Sequence, residues 1–411
     1  MKTADPELMR AINRFHVMDA VRRSGAISRV EICERTELSP TTVSAITAAL
    51  LDDGLITASP VAPTPDQPRG RPRVMLSLNP DAATVCGAKL APSQITIAVT
   101  NFQADLLAGL SLPIRVDRQP VSVILDIVED GVRRCAEDAG LTLSDLSGLC
   151  IGLPGVIERA SGICRQSPLF RERDQDVGAE LRARLGLAVT VDADVNLVTQ
   201  AEHWFGHGRG LNDFLVVSIE HVIGLGIIHG GELFRGAGGL SPDLGDLVIW
   251  PGGGAGDTPP GRLSATASTT AIVAAMAEVG PHDAALRGGR GLERAIQLAR
   301  EGGAPARIFD QAGQALGVAI ANLITLFAPP RVIVTGSGLQ AGDLLLAPLH
   351  RALRTALPAT LSGVAEVVVH ETDDALWARG AAALSLRDLY GAPWNTTGPV
   401  GRNRNGGNEH G

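Results

Sequence analysis

Three short segments near the start of the chain have apolar residues at the spacing of amphipathic helices. In residues 8–24 the apolar positions predicted to share one side are Met9, Ile12, Phe15, Val17 and Val21. Ser28 and Glu31 form an S-x-x-E capping box, which predicts a second helix through Arg35. Ser39 followed by Pro40 predicts the start of a third helix, because serine caps the first turn and proline at the first position loses no hydrogen bond.

The third helix has one apolar face, formed by Val43, Ile46 and Leu50, and ends at the Asp52-Asp53-Gly54 stretch. Its other face carries small and polar side chains, which suits close entry into a DNA major groove. The candidate DNA-contacting residues of this helix are Ser39, Thr41, Thr42, Ser44 and Ala45.

Two strand patterns, Leu55–Ala58 and Val74–Leu78, surround a proline-rich loop and predict a wing. Three arginines near the tip of this loop, Arg69, Arg71 and Arg73, fit a minor groove. A three-helix unit without a DNA role remains an alternative, and the arginine loop alone is equally typical of a solvated surface. The combination favours a winged helix-turn-helix over residues 1–80.

From residue 82 strands alternate with helices, which predicts an α/β domain over residues 81–390. The expected strands are 84–90, 94–100, 106–112, 148–152, 188–191, 214–219, 223–229, 331–335 and 364–369. The expected helices are 120–139, 174–185, 195–205, 266–278, 291–301, 306–328, 343–356 and 374–389. Strands 84–112 should form a meander that recurs once in a second lobe, and the Gly/Asn-rich tail 391–411 is expected to be disordered.

The composition narrows the expected cellular compartment and binding partners of the protein. The 411 residues carry a net charge of −8, but residues 1–80 hold ten basic and nine acidic side chains, so only this segment approaches DNA without strong repulsion. Five scattered cysteines favour reduced thiols. With no membrane-length apolar run and no signal peptide, we expect a cytoplasmic protein without a membrane partner.

Four stretches of the α/β part resemble the ROK family of repressors and sugar kinases. They are IGLPGVIERASG (151–162), VDADVNLVTQAEHWFG (191–206), VIGLGIIHGGELFRGAGG (222–239) and ALGVAIANLITLFAPPRVIVTGSGL (315–339). The N-terminal segment resembles the winged helix-turn-helix of the regulator branch. The resemblance implies an α/β, two-lobed, actin-like ATPase fold behind the DNA-binding domain.

The chain departs from the kinase pattern in both phosphate loops. The acid of the first loop, D-x-G-x-T in active members, is replaced by Lys89, and Pro92 removes a backbone donor. In the second loop Glu220 puts negative charge where phosphate would lie, although Gly224 and Gly226 remain. The surviving glycines are more typical of tight strand packing than of a nucleotide site, and we therefore expect no phosphoryl transfer.

The family's zinc motif is also altered. Its E-x-G-H element reads Asp243-Leu244-Gly245-Asp246, and no cysteine follows Cys164. Zinc in ROK proteins is held by thiolate and histidine ligands. We expect neither a metal nor a cofactor in this chain.

The family's sugar-contacting positions correspond here to Gly155, Asp194, Asp243 and Asp246. Asp194 occupies the position of the kinase general base, although its neighbouring Asn has become Ala193. Three carboxylates in one cleft would favour a neutral or cationic carbohydrate-like effector over a sugar phosphate, unless Arg165 or Arg235 intervened. As alternatives, Asp194 only caps a helix, and Asp243 and Asp246 are solvated or capping residues.

These features favour a transcriptional regulator, with repression as the expected mode, that binds operator DNA as a homodimer or tetramer and senses a carbohydrate-like effector. Two alternatives stay open. One is a sugar kinase with an accessory DNA-binding domain, which ATP turnover would reveal. The other is a DNA-binding dimer that responds to no effector, which ligand-binding measurements would distinguish.

Overall fold

The computed structural model describes residues 6–60, 74–113, 119–250, 261–280, 283–287 and 290–390. The expected disordered tail 391–411 lies outside these residues. The N-terminal elements are α1 (Pro6–Ser24), β1 (Ile27–Ser28), α2 (Arg29–Thr36), α3 (Pro40–Asp52), β2 (Ile56–Pro60) and β3 (Val74–Leu78). The three strands form a sheet in the order β1-β3-β2. Within it β2 pairs antiparallel with β3, from Ile56 opposite Leu78 to Pro60 opposite Val74.

The predicted helix starts are confirmed. The Ser28 hydroxyl accepts a hydrogen bond from the Glu31 N–H at 3.3 Å, and the Glu31 carboxylate accepts one from the Ser28 N–H at 2.9 Å. The Ser39 hydroxyl accepts from the Thr42 N–H at 3.2 Å, with Pro40 as the first helical residue. Each cap satisfies a backbone donor that the first helical turn leaves unpaired.

The predicted buried face of α1 is wrong at its first residue. Met9 is 46% exposed, whereas Val17, Met18 and Val21 are fully buried. The reason is that the middle of α1 packs into a core that continues into the α/β domain through Trp204 and other residues. This burial on more than one side does not follow the single stripe expected of a surface helix.

The first lobe of the α/β domain contains β4 (Thr84–Ala91), β5 (Gln94–Thr100), β6 (Leu106–Leu112), α4 (Val121–Asp138), β7 (Leu146–Leu153), β8 (Val156–Glu158), β9 (Ile163–Gln166), α5 (Val177–Leu185), β10 (Val189–Ala193) and α6 (Asp194–Phe205). Its main sheet has the order β10-β7-β4-β5-β6. The predicted β4–β5–β6 meander is confirmed, and β7 and β10 add to it in parallel.

The second lobe contains β11 (Phe214–Ile219), β12 (Ile223–His229), β13 (Glu232–Leu233), β14 (Val248–Trp250), β15 (Gly261–Arg262), α7 (Leu263–Ala267), α8 (Thr269–Val279), α9 (Gly291–Arg300), α10 (Gly303–Phe327), β16 (Arg331–Thr335), α11 (Asp343–Ala356) and β17 (Glu366–Val369). The order β13-β12-β11-β16-β17 repeats the first lobe's arrangement of a meander followed by two parallel strands. The expected single helix 266–278 is instead two helices, because Ser268 caps a new one through the Ala271 N–H.

The last helix, α12 (Asp374–Leu389), returns to the first lobe and packs against β4 and α6. The approach is close because β4 carries glycine at its contact point. A Cβ added to Gly87 would lie 2.1 Å from the Ala378 carbonyl oxygen. Within the described ranges, no helix is long and apolar enough to cross a membrane.

Candidate functional site

The exposed face of α3 carries most of the candidate DNA-contacting residues. Ser39, Thr41, Ser44 and Ala45 are exposed and Thr42 is half-buried. On the opposite face Val43 and Leu50 are fully buried, and so is Thr47, whose hydroxyl accepts a hydrogen bond from Arg29 Nε at 2.9 Å. The helix therefore offers hydroxyl and methyl groups to solvent while its other side is fixed in the core. This is the geometry that a recognition helix needs.

The strands on either side of the wing lie as the sequence predicts, although β2 ends two residues later than expected. The candidate residues Arg69, Arg71 and Arg73 lie outside the described residues. Strands β2 and β3 are antiparallel partners, and Pro60 pairs with Val74 at one end of their ladder.

Lys89 and Glu220, the two charged residues at the positions of the kinase phosphate loops, contact each other. Lys89 is 4% exposed, and its Nζ lies 3.6 Å from Glu220 Oε1 and 2.6 Å from Asp374 Oδ1. Burial disfavours the charged ammonium, but Glu220 and Asp374 outweigh it and raise the pKa of Lys89. Glu220 also accepts hydrogen bonds from the Ser337 N–H (3.1 Å) and hydroxyl (2.7 Å). A bound phosphate would have to displace these contacts and lie beside carboxylates.

The two surviving glycines of the second loop lie in β12 and face α6. A Cβ on Gly224 would lie 2.7 Å from the Val195 Cβ, and one on Gly226 would lie 1.8 Å from the Thr199 hydroxyl oxygen. These glycines permit close packing of a strand on a helix, which agrees with the structural interpretation of the G-x-G pattern.

Asp194 is the first residue of α6 and is 7% exposed. The helix cap is Ala193, so Asp194 does not take the N-cap position. Its carboxylate accepts a hydrogen bond from the Val195 N–H at 2.8 Å. Burial raises the pKa of Asp194 to about 6; the Lys89 charge opposes this shift and the Glu220 charge adds to it. The group is thus a buried acceptor beside the Lys89 cluster.

A second buried carboxylate near the start of α6, Asp192, is not among the residues predicted from the sequence. It is 1% exposed and accepts hydrogen bonds from Arg235 Nη1 (2.9 Å) and Nη2 (2.5 Å) and from Asn196 Nδ2 (2.7 Å). Asn196 also donates to the Ser241 hydroxyl at 2.5 Å. The Asp192-Ala193-Asp194 sequence, where β10 ends and α6 begins, was the signal available in the sequence. Arg235, expected as a possible phosphate ligand, is occupied by this pair.

The remaining predicted effector residues lie in two other environments. Gly155 follows β7 with φ of +120°, and a Cβ there would lie 2.1 Å from the Gln166 carbonyl oxygen, so the turn requires glycine. Asp243 and Asp246 are exposed, and the Asp246 N–H donates to Asp243 Oδ1 at 3.1 Å. Asp243 lines a cavity of about 400 Å³ with Leu244 and other apolar residues. The described contacts join Asp243 to Asp246 and Asp194 to Lys89 and Glu220, as two separate groups.

The altered zinc region is only partly described, since residues 251–260 lie outside the described ranges. In the ranges that are described, no group of three His, Cys, Asp or Glu side chains could hold a metal ion. The absence of zinc remains a prediction from the lost cysteine and histidine ligands.

Comparison with known proteins agrees with this architecture. The ROK family model matches residues 92–388, and a winged helix-turn-helix DNA-binding model matches residues 10–57. The chain is similar to the xylose repressor of Caldicellulosiruptor bescii, at 25% identity over 94% of this chain and 98% of that protein. It is also similar to a glucokinase of Thermotoga maritima, at 32% identity over 64% of this chain and 87% of the kinase. A solved ROK family transcriptional regulator, a homologue of the Escherichia coli MLC protein, superimposes with a TM-score of 0.74 at 25% identity, covering 93% of this chain and 98% of that one.

These matches define a ROK domain fused to an N-terminal winged helix-turn-helix. The chain belongs to the ROK family, in the branch of DNA-binding transcriptional regulators.

Proposed function

We propose that this protein is a cytoplasmic repressor of carbohydrate-related genes whose ROK domain senses an effector and transfers no phosphate. The absence of phosphoryl transfer is supported by the Lys89–Glu220–Asp374 cluster. In it the buried Lys89, from the first phosphate-loop position, contacts Glu220, from the second, and Asp374 of α12. The regulator half is supported by the exposed small and polar face of α3 and by the similarity to repressors over almost the whole chain.

On DNA, two chains bind a pseudo-palindromic operator with the α3 helices in successive major grooves. Ser39, Thr41, Thr42, Ser44 and Ala45 contact bases or phosphates. Arg69, Arg71 and Arg73 enter the flanking minor groove. In the effector cleft, Asp194 accepts hydrogen bonds from hydroxyl or amine groups of a neutral or cationic carbohydrate-like ligand. The Arg235 guanidinium donates two hydrogen bonds to Asp192. It is therefore not available to bind the phosphate group of a sugar phosphate.

The test compares the full-length protein with the Asp194→Asn variant. An operator is first selected from random DNA, and its affinity is measured with and without each member of a panel of neutral and amino sugars. We expect one sugar to weaken operator binding by about 5- to 150-fold, which corresponds to a coupling of about 1–3 kcal/mol. Asp194→Asn should bind the operator as the parent does and lose this response. If the variant responds normally, Asp194 is not in the effector site.

A coupled ATP assay over the same sugars tests the alternative of a sugar kinase with an accessory DNA-binding domain. We expect background turnover, and clear phosphorylation of any sugar would contradict the proposal. An effector-independent dimer would bind the operator, show no turnover and respond to no sugar.

A further inference from the structure

A cavity of about 610 Å³ lies between the DNA-binding domain and the ROK domain. One wall is formed by α1 and the end of α2, through residues such as Asp19, Arg23 and Arg35. The opposite wall is formed by the end of α6, the following loop, the β12–β13 turn and the end of α12. This cavity contains none of the predicted effector residues Gly155, Asp194, Asp243 and Asp246.

Four arginines and three carboxylates, Asp19, Glu37 and Glu232, line its walls. Of the four lining arginines, Arg23 pairs with Asp19 at 2.6 Å and Arg387 pairs with Glu232. The other two, Arg35 and Arg209, have no carboxylate partner among the described residues. Arg35 Nη1 donates to the Ser24 hydroxyl at 2.8 Å, and Arg209 Nη2 donates to the Arg23 carbonyl oxygen at 3.4 Å. Since a guanidinium has five N–H donors, most of the donor capacity of both side chains remains unused.

A buried histidine adds a polar group that lacks a partner. His203, on α6, lines the same cavity and is 5% exposed. In the described part of the chain, its Nε2 is buried without a hydrogen-bond partner. Leaving such a group unsatisfied costs free energy that a bound molecule can recover. The nearby Trp204 and Tyr390 rings stack at 5.7 Å and give this wall an apolar surface for a carbon skeleton.

We infer that this interdomain cavity is a second ligand site, separate from the sugar cleft, that binds a small organic anion carrying phosphate or carboxylate groups. Arg35 and Arg209 supply charge-assisted hydrogen bonds from opposite walls. Arg35 belongs to the helix-turn-helix and Arg209 to the ROK domain, so one ligand contacts both domains. Binding of this ligand therefore depends on the position of the DNA-binding domain relative to the ROK domain.

Calorimetry on the full-length protein without DNA tests this site. The probes are inorganic phosphate, glucose 6-phosphate, citrate and, as the uncharged comparison, glucose. We expect at least one anion to bind, and Arg35→Gln/Arg209→Gln to weaken its binding about tenfold or more, as expected for lost hydrogen bonds to a charged group. The control Arg300→Gln, an exposed arginine on α9, should bind as the parent does. Asp194→Asn should also retain anion binding, which separates this site from the effector cleft.

The pattern among the probes identifies the chemistry. Binding of phosphate and glucose 6-phosphate without citrate indicates a phosphate site, and binding of citrate alone indicates a carboxylate site. The single variant Arg209→Gln, at an exposed position, provides the same test if the double variant does not fold. The inference is overturned if none of the three anions binds the parent at millimolar concentration, or if the arginine variants bind as the parent does. Loss of anion binding in Asp194→Asn with retention in the arginine variants would also overturn it.

Discussion

Lys89 in the first lobe and Glu220 in the second lobe lie 3.6 Å apart, Nζ to Oε1, and both are largely buried. Each of them, taken alone, departs from the sequence pattern of the family's kinases. Together they form an ion pair between the lobes that is completed by Asp374 from α12, at 2.6 Å from the ammonium. The two departures from the kinase pattern are therefore joined in one buried cluster of charges, in which Lys89 pairs with Glu220 and Asp374.

This ion pair should couple the two residues energetically. Lys89→Met leaves Glu220 and Asp374 without their cation, and we expect the free energy of unfolding to fall by about 3 kcal/mol. In Lys89→Met/Glu220→Gln one uncompensated carboxylate is removed. The loss of unfolding free energy in the double variant should therefore be smaller, by at least ~0.5 kcal/mol, than the sum of the losses in the two single variants. Urea denaturation of the parent, Lys89→Met, Glu220→Gln and the double variant measures this. Additive losses would show that the pair does not interact.

The raised pKa of Asp194, about 6 against an ordinary value of 3.8, predicts a pH-dependent stability difference. Burial is the main cause, and the folded chain therefore binds this proton more tightly than the unfolded chain. The contribution of Asp194 to the free energy of unfolding thus falls as the pH rises from about 4 to about 6. Asp194→Asn removes that penalty, and at pH 7 it should be more stable than the parent by about 3 kcal/mol.

The pH series provides the control for this prediction. Near pH 4 Asp194 is protonated in the folded chain and about half ionised in the unfolded chain, so the difference between the variant and the parent should be much smaller there than at pH 7. Asp130→Asn, at a 66% exposed carboxylate, should not change the pH profile. Chemical denaturation at each pH measures the difference. A difference that is the same at pH 4 and pH 7 would contradict the assignment of the penalty to ionisation of Asp194.

Local patterns predicted the fold well, and contacts between distant segments explain what they missed. Capping by Ser28 and Ser39 and the short apolar strands of the meander depend on neighbours in sequence, so they can be predicted from it. The partners of Lys89 come from positions 220 and 374, which no local pattern connects. Burial of Asp192 beside Arg235 likewise depends on two lobes meeting. The cavity between the domains requires the packing of α1 against the ROK domain, which the apolar pattern of α1 alone did not predict correctly.

His203 should make the protein sensitive to acid. Burial, followed by the charges of Arg23 and Arg22, lowers the pKa of His203 to about 3 from 6.5. The unfolded chain therefore takes up this proton at a pH where the folded chain does not. As the pH falls below about 6.5, the free energy of unfolding should decrease by roughly 1.4 kcal/mol per pH unit from this residue, until about pH 3.

The test of this acid sensitivity is the slope of stability against pH. His203→Gln should show a shallower loss between pH 6.5 and pH 4, even if its stability at pH 7 is lower because packing against Phe214 has changed. His16→Gln, at an exposed position on α1, should keep the parent's slope. An unchanged slope in His203→Gln would assign the acid sensitivity to other groups.

The exposed hydroxyls of α3 should determine operator affinity without contributing much to stability. Thr41 and Ser44 point away from the buried Val43 and Leu50. If they contact the operator, Thr41→Ala and Ser44→Ala should each weaken binding to the selected operator by about 1–3 kcal/mol where the hydroxyl reads a base. Their thermal unfolding should match the parent, because neither side chain packs in the core.

Ser39→Ala is expected to behave differently, since loss of its cap costs about 1 kcal/mol of stability. Thr355→Ala removes an exposed hydroxyl from α11 and is the matched control, with parental affinity expected. Fluorescence anisotropy on the operator and on operators with single base changes measures the effect. If Thr41→Ala and Ser44→Ala bind all of these sites as the parent does, α3 does not read the DNA sequence through this face.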